Sequence, residues 1–239
     1  MSRIWTLTGF LIGDLIRSLA AIVPLAASVA FGLIAFEYGM DQSQFITVAG
    51  VGIAAICMLT TLLLASRANR ASTYPLVARL RHRSELLVAL ILSSLIITFF
   101  LALLIALPNL FAGRLTLEFP SMLWILPTWL ALWLMASALA LPLSALTGRA
   151  GSHLVGYALV TLLLVANDRR ALLKARGFDW LAAIVTVLLW PANTLMARAS
   201  AGVHDRSYFL ALALVFLSAL FFFALAAQLL TDKDLLWAE

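Results

Sequence analysis

"RANRASTYPLVARLRHRSELL", residues 67–87, is a long polar stretch in a chain that is otherwise almost continuously apolar. It carries five arginines, a Tyr-Pro pair and one acid, Glu85. Apolar runs flank it on both sides, Ile46–Ala65 and Leu86–Leu107. A bilayer core needs roughly 20 consecutive apolar residues per helix, so each flank has the length of a membrane span. The arginine stretch is then the loop between two spans, and the fold follows from extending that reading in both directions.

Composition agrees. Of 239 residues 64% are hydrophobic and 11% charged, and mean hydropathy is +1.06. An ordinary soluble domain is about half apolar and a quarter charged, so this chain could not hide its apolar surface in one soluble core. The net charge of +5 reads as orientation by basic cytoplasmic loops. No soluble module carries a basic cluster that could dock a duplex, so nucleic acid is not an expected partner. The single cysteine, Cys57, lies in an apolar run, which excludes intrachain disulfides and cysteine-based metal sites. Asp14 and Arg17 interrupt the first apolar stretch, so the start is expected to be retained rather than cleaved as a signal peptide.

Beyond the two flanks, Met122–Leu146 and Tyr208–Leu230 reach span length, and Leu19–Phe36 falls slightly short. His153–Ala166 and Trp180–Trp190 are shorter still, the second stopped by Pro191. Tryptophans 124, 129, 180 and 190 suit positions near headgroups. Residues 1–18 differ from these runs. Thr6, Gly9, Gly13, Asp14 and Arg17 recur at steps of three to four, with Trp5, Leu7, Phe10, Leu11, Leu15 and Ile16 between them. That pattern predicts an amphipathic helix in the interface plane, with Asp14 and Arg17 able to pair at i,i+3. Gly9 and Gly13 form a GxxxG, a weak match at this length.

Orientation follows from loop charge. Arg3 and Arg17 precede the first span, "EYGMDQSQ" (37–44) carries two acids and no base, and the next loop carries five arginines. Positive-inside bias places the N-terminus and the arginine loop in the cytoplasm. "PNLFAGRLTLEFPS" (108–121) then falls outside and "TGRAGSH" (147–153) inside. From 153 to 206 two versions stay open. If 153–166 crosses, the four bases of "NDRRALLKARGFDW" (167–180) lie outside, against the rule; if it is re-entrant, 180–197 crosses instead. Both give six crossings and a cytoplasmic tail, "TDKDLLWAE"; seven crossings follow if both short runs cross. Irregular helices at membrane depth need protein around them, so 153–206 is expected to pack against other spans or a partner.

The chemistry that is missing narrows the function classes. The secure spans hold no Asp, Glu, Lys, Arg or His in their interiors, which disfavours ion-coupled transport, and no internal repeat is evident. His82, His153 and His204 lie in separate loops without metal-ligand spacing. No nucleophile elbow, P-loop or carboxylate pair is present, so no enzyme is expected in this chain. Work against a gradient would draw its energy from another chain.

Within the loop, "ASTYPLVARL" (71–80) predicts a short amphipathic helix. Ser72 or Thr73 caps it, Pro75 suits its first turn, and Leu76, Val77 and Leu80 share a face. Such a helix can lie on anionic lipid or fit a partner's groove.

An N-terminal interfacial helix, six spans and a basic loop between spans two and three resemble the type-2 family of ABC-exporter permeases. "RASTYPLVARLRHRSELLVAL" (70–90) is similar to that family's loop, with Ser84-Glu85-Leu86-Leu87 opening the third span. "LPLSALTGRAGSHLVGYAL" (141–159) is similar to its passage from span four to span five. The stretch from Trp190 to Trp237 looks like the last-span region of the gliding/nitrous-oxide-type permeases: a Pro-containing turn, a Gly, an acidic turn, Tyr-Phe-Leu and a long span. The loop departs from the pattern at Asn69 or Arg70, where an acid is usual, and at Ser72, where glycine is usual.

The resemblance implies one permease domain over 1–239: an interfacial helix (1–18), a cytoplasmic coupling loop (66–85), and an irregular or re-entrant region (167–206) before the last span. It places span five near 153–166. It implies a second permease chain, identical or paralogous, and ABC ATPase subunits that bind ATP and Mg2+; this chain would hold no cofactor itself. Thr73, Tyr74, Pro75, Leu76, Val77 and Leu80 would fill the ATPase groove. Arg79, Arg81 and Arg83 would pair with its acids or with lipid phosphates, and Glu85 would anchor span three. The helix bearing Trp5, Asp14 and Arg17 would act as an interfacial lever. The alternatives are a non-transport scaffold subunit of a larger membrane complex, a secondary transporter and, after these, a membrane enzyme.

Overall fold

The computed structural model describes residues 2–39, 41–69, 80–115, 119–147, 156 and 179–232. These residues form helices and turns with no β-strand among them. In chain order the long helices are α1 (Ser2–Ile16), α2 (Ile22–Tyr38), α3 (Gly50–Ala68), α4 (Ser84–Phe111), α5 (Phe119–Ala140), α6 (Asp179–Ser200) and α7 (Arg206–Asp232). Five stretches among the described residues have the length and apolarity to cross a bilayer: Leu19–Tyr38, Gln42–Ala68, Ser84–Phe111, Leu123–Ala140 and Arg206–Thr231. The chain is an all-α, multi-pass membrane protein.

The helix ends are written in local chemistry. Gly39 follows α2 at a φ of 65°, a conformation glycine takes without a Cβ clash. The next segment opens with a capping box: the Asp41 carboxylate accepts from the Gln44 amide at 2.7 Å, and the Gln44 side chain accepts from the Asp41 amide at 3.3 Å. A π-turn over Phe45–Ala49 then leads into α3, so this span starts before Ile46. At the other end of the chain, Asp205 caps α7, accepting from the amides of Ser207 and Tyr208 at 3.1 Å each.

Pro191 does not stop its helix: α6 runs unbroken to Ser200. A proline removes one donor and crowds the preceding turn. Past it, however, Ala192, Leu195, Met196 and Ala199 are buried in the main core, one face at i, i+3, i+4, i+7. Packing on that face offsets the cost of the proline and lets the helix continue past it. Within 167–206 the described residues are a continuous helix, Asp179–Ser200, of about 33 Å, followed by a turn that leads into α7. The 153–166 run lies outside the described residues except for Gly156, which is buried. A Cβ there would stand 2.9 Å from the Leu62 side chain, so Gly156 is in close contact with α3.

The core is a central trio, α3, α4 and α5, with α1 and α2 packed on α4, α7 on α5, and α6 mainly on α7. The central spans of α3 and α5 are 72% and 67% buried in their most apolar windows, against 17% for the first span and 22% for the last. The first and last spans therefore present most of their surface to whatever surrounds the chain. Close approach of α3 to its neighbours depends on two glycines, one facing α5 and one facing α2. A Cβ on Gly50 would meet the Trp129 indole at 2.9 Å, and one on Gly52 the Phe31 ring at 2.8 Å. Trp129 also donates to the Ile46 carbonyl at 3.3 Å, inside the π-turn, and its ring lies 5.0 Å from Phe45.

Polar atoms cross-link the three helices of the trio, α3 and α4 within their spans and α5 in its last turn. The Cys57 thiol lies 3.0 Å from the Ser137 hydroxyl and 3.3 Å from that of Ser94, and Thr61 donates to Ser94 at 2.7 Å. All four side chains are fully buried. Hydrogen bonds of this kind between membrane helices contribute about 0.6 kcal/mol each on average, so the cluster acts as glue for the trio.

Two outcomes follow. Gly50→Val must displace an indole ring rather than a flexible chain end, and should lower stability by roughly 1–3 kcal/mol, read as a lower unfolding midpoint in detergent. Gly9→Val, at a glycine with nothing within 4 Å, should leave that midpoint nearly unchanged. For pH, the Ser207 hydroxyl, the Tyr208 amide and Arg198 hold the Asp205 carboxyl below its ordinary value. Its stabilising effect is then full above the ordinary carboxylate range, about pH 4, and is lost as pH falls through the lowered value. Asp205→Asn should flatten the acid limb of a midpoint-versus-pH curve and leave its neutral limb in shape.

Candidate functional site

The arginine loop leaves α3 at Ala68 and enters α4 at Ser84, and both of its ends are tied down by arginine side chains. The first tie involves α1. Leu7, Leu11 and Leu15, at i, i+4, i+8, are buried in a core shared with Ala65 and Ala68 of α3 and Leu86, Leu87 and Leu90 of α4. Docking that face brings Asp14 to Arg67 in the last turn of α3. Nε of Arg67 donates to one carboxylate oxygen at 2.6 Å and Nη2 to the other at 2.8 Å. The Arg67 side chain is only 11% exposed. A guanidinium so withdrawn from water is costly without a partner, and the bidentate fork is the strong form of the contact.

This corrects the expected Asp14–Arg17 pair. An i,i+3 pair on an exposed helix is worth a few tenths of a kcal/mol; the part-buried bidentate fork outcompetes it. Arg17 remains exposed. Trp5 is 59% exposed, on a different side of α1 from the leucines. Gly9 and Gly13 meet no other element of the chain, so their spacing serves no helix contact among the described residues.

The second tie is at the exit. Nη1 of Arg83 donates to the carbonyls of Leu230 and Thr231 at 2.7 and 3.2 Å. These belong to the last turn of α7, whose carbonyls have no amide one turn on and carry the negative end of the helix dipole. Arg83, expected to meet a partner's acids or lipid phosphates, is placed against the C-terminal carbonyls of α7. Glu85 stands in the first turn of α4, where its charge meets the positive end of that helix. Leu80, expected on the groove-filling face, packs against the core formed by α1, α3, α4 and α7.

Arg81, His82, Arg83 and Ser84 line one side of an open cavity of about 560 Å³, with Ala227, Gln228 and Thr231 on the other. The junction is thus strongly basic, with α7 forming its wall. Thr73, Tyr74, Pro75, Leu76, Val77 and Arg79 lie outside the described residues, as does the tail from residue 233. Among the described residues no three His, Cys, Asp or Glu side chains gather as a metal site would require. No protein-family model matches the chain, and no curated protein or solved structure matches it.

The signals for the two ties were present in sequence but not in its periodicity. Asp14 is the lone acid of the first helix and Arg67 the loop base nearest a span; which base takes the acid is decided by packing of Leu7, Leu11 and Leu15. A double-mutant cycle tests the first tie. Asp14→Asn and Arg67→Gln should each lower the unfolding midpoint in detergent, with a coupling energy of roughly 1–2 kcal/mol. Arg17→Gln combined with Asp14→Asn should show coupling close to zero.

Proposed function

We propose that the chain is the transmembrane subunit of an ATP-driven ABC exporter, set in a cytoplasmic membrane with both termini and the arginine loop inside. Its motor is a separate ATPase subunit that binds ATP and Mg2+, and a second permease chain, identical or paralogous, completes the pathway. The observation that carries this reading is the double tie of the loop. Arg67 links its entry to α1 and Arg83 links its exit to α7. A force applied between residues 69 and 83 reaches the first and last helices together.

Mechanically the arrangement suits a coupling loop. The first and last spans are much less buried in the chain than those of the central trio, so they have fewer packed side chains to disturb when they shift. Small sliding of packed helices is an established mode of switching. In this mechanism closure of the ATPase pair presses on the helix expected over 71–80. Tyr74, Pro75, Leu76 and Val77 fill its groove, with Thr73 at the start of the helix, and Arg79 and Arg81 meet its acids. The two ties carry the push to α1 and α7, and the hydroxyl-bonded trio stays as the fixed frame. Transport direction is taken from the family resemblance, and the substrate is left unassigned.

Purification in mild detergent should bring down an ATPase with Walker motifs. In the reconstituted complex Tyr74→Asp or Leu76→Asp should lower substrate-stimulated ATP turnover at least tenfold, equivalent to about 1.4 kcal/mol. Absence of any ATPase, with both variants unchanged in every assay of the complex, would sink the motor reading. Stable assembly with other membrane subunits, indifferent to ATP, would favour the scaffold alternative.

A further inference from the structure

Between α1, the start of the first span and the middle of α4 lies an apolar groove of about 690 Å³. Its walls include Ile16, Leu19, Ile22 and Leu25 on one side and Ile97 and Phe100 on the other. Ile16, Leu19, Ile22, Leu25 and Phe100 are exposed, so the groove opens sideways from the helices. The volume falls in the range of sites for small amphiphiles, about 300–1,000 Å³.

Arg17, which also lines the groove, has an unbalanced charge. The acid three residues before it, Asp14, is committed to Arg67. The guanidinium of Arg17 makes no hydrogen bond or ion pair among the described residues. Arg17 is the last charged residue before an uncharged apolar stretch that continues to Glu37, and the span begins at Leu19. Arg17 thus stands two residues before the span, where headgroups meet a helix that crosses from Leu19. A cation at headgroup depth, joined to an apolar groove that descends beside the span, complements an anionic amphiphile.

We propose that this groove binds one anionic phospholipid of the surrounding bilayer, its acyl chain against Ile22, Ile97 and Phe100 and its phosphate on Arg17. The Asp14–Arg67 tie creates the site's selectivity, because it leaves Arg17 as the cation at the mouth. The assignment is independent of the transport reading. It requires only that Leu19–Tyr38 crosses a bilayer.

The test uses the full chain in nanodiscs of equimolar phosphatidylcholine and phosphatidylglycerol, extracted into detergent for native mass spectrometry of retained lipid. Wild-type protein should retain phosphatidylglycerol over phosphatidylcholine by roughly fivefold, the equivalent of about 1 kcal/mol for one basic residue at the surface. Arg17→Gln should erase that preference. Ile22→Trp, which adds an indole at an exposed wall position and spares the core, should reduce retention of both lipids. Equal retention of the two lipids by wild type, or a preference that survives Arg17→Gln, overturns the proposal. So does efficient bismaleimide cross-linking of Ile22→Cys between two copies in the membrane, since a second chain would then occupy the groove. The native Cys57 is fully buried and gives a clean background for that experiment.

Discussion

Hydrocarbon offers no hydrogen bonds, so a polar atom placed in it is costly unless it finds a partner within the protein. Most of this fold can be understood as the working out of that constraint. Backbone groups are consumed in helices. Hydroxyls inside the spans bend back to carbonyls one turn earlier: Ser28 to Pro24, Thr60 to Ile56, Thr61 to Cys57, Ser93 to Ala89, Thr128 to Trp124 and Ser218 to Leu214. Where hydroxyls from different helices come near the same depth, they bond across, and the Cys57, Thr61, Ser94 and Ser137 cluster results. The π-turn over Phe45–Ala49 is satisfied in the same manner, by an indole N–H from the neighbouring span.

The same constraint expels charge to the ends of the spans and makes those ends sticky. Arg67 sits in the last turn of α3 and must be neutralised there, so it captures Asp14. The final carbonyls of α7 need donors, and Arg83 supplies them. Neither contact was selected by local sequence; each answers an electrostatic need created by a helix end. Their joint effect is that the arginine loop is no free tether. Its two ends are fastened to helices far away in the chain, one the helix before the first span and the other the last span itself.

What could be read from sequence divides along physical lines. Hydropathy is additive over a window, so the spans near Ile46–Ala65, Leu86–Leu107 and Tyr208–Leu230 were legible, and so was the change of character in residues 1–18. Starts and stops depend on single residues. The Asp41–Gln44 capping box has a readable signature, yet it was hidden inside a stretch that looks like loop. Pro191 reads as a stop because the side chains that hold α6 together beyond it act through tertiary packing. Pairing of charges was the least legible: Asp14 has a base three residues away and takes one 53 residues away. Sequence distance rewards the local pair, while burial of the guanidinium rewards the distant one. Leu80 and Arg83 likewise make contacts within the chain that no local pattern encodes.

The π-turn before α3 has one more consequence, which concerns register. A π-turn amounts to one residue more than an α-helix needs over the same rise, and one residue is about 100° of rotation. The face that Gln42–Gln44 would present in a straight helix is therefore offset by that angle from the face that carries Gly50 and Gly52. Phe45 and Ile46 can both be buried against α5 while the two glycines still meet Trp129 and Phe31. The turn works as a phase shifter, letting one continuous span satisfy two neighbours whose positions do not share a single helical stripe.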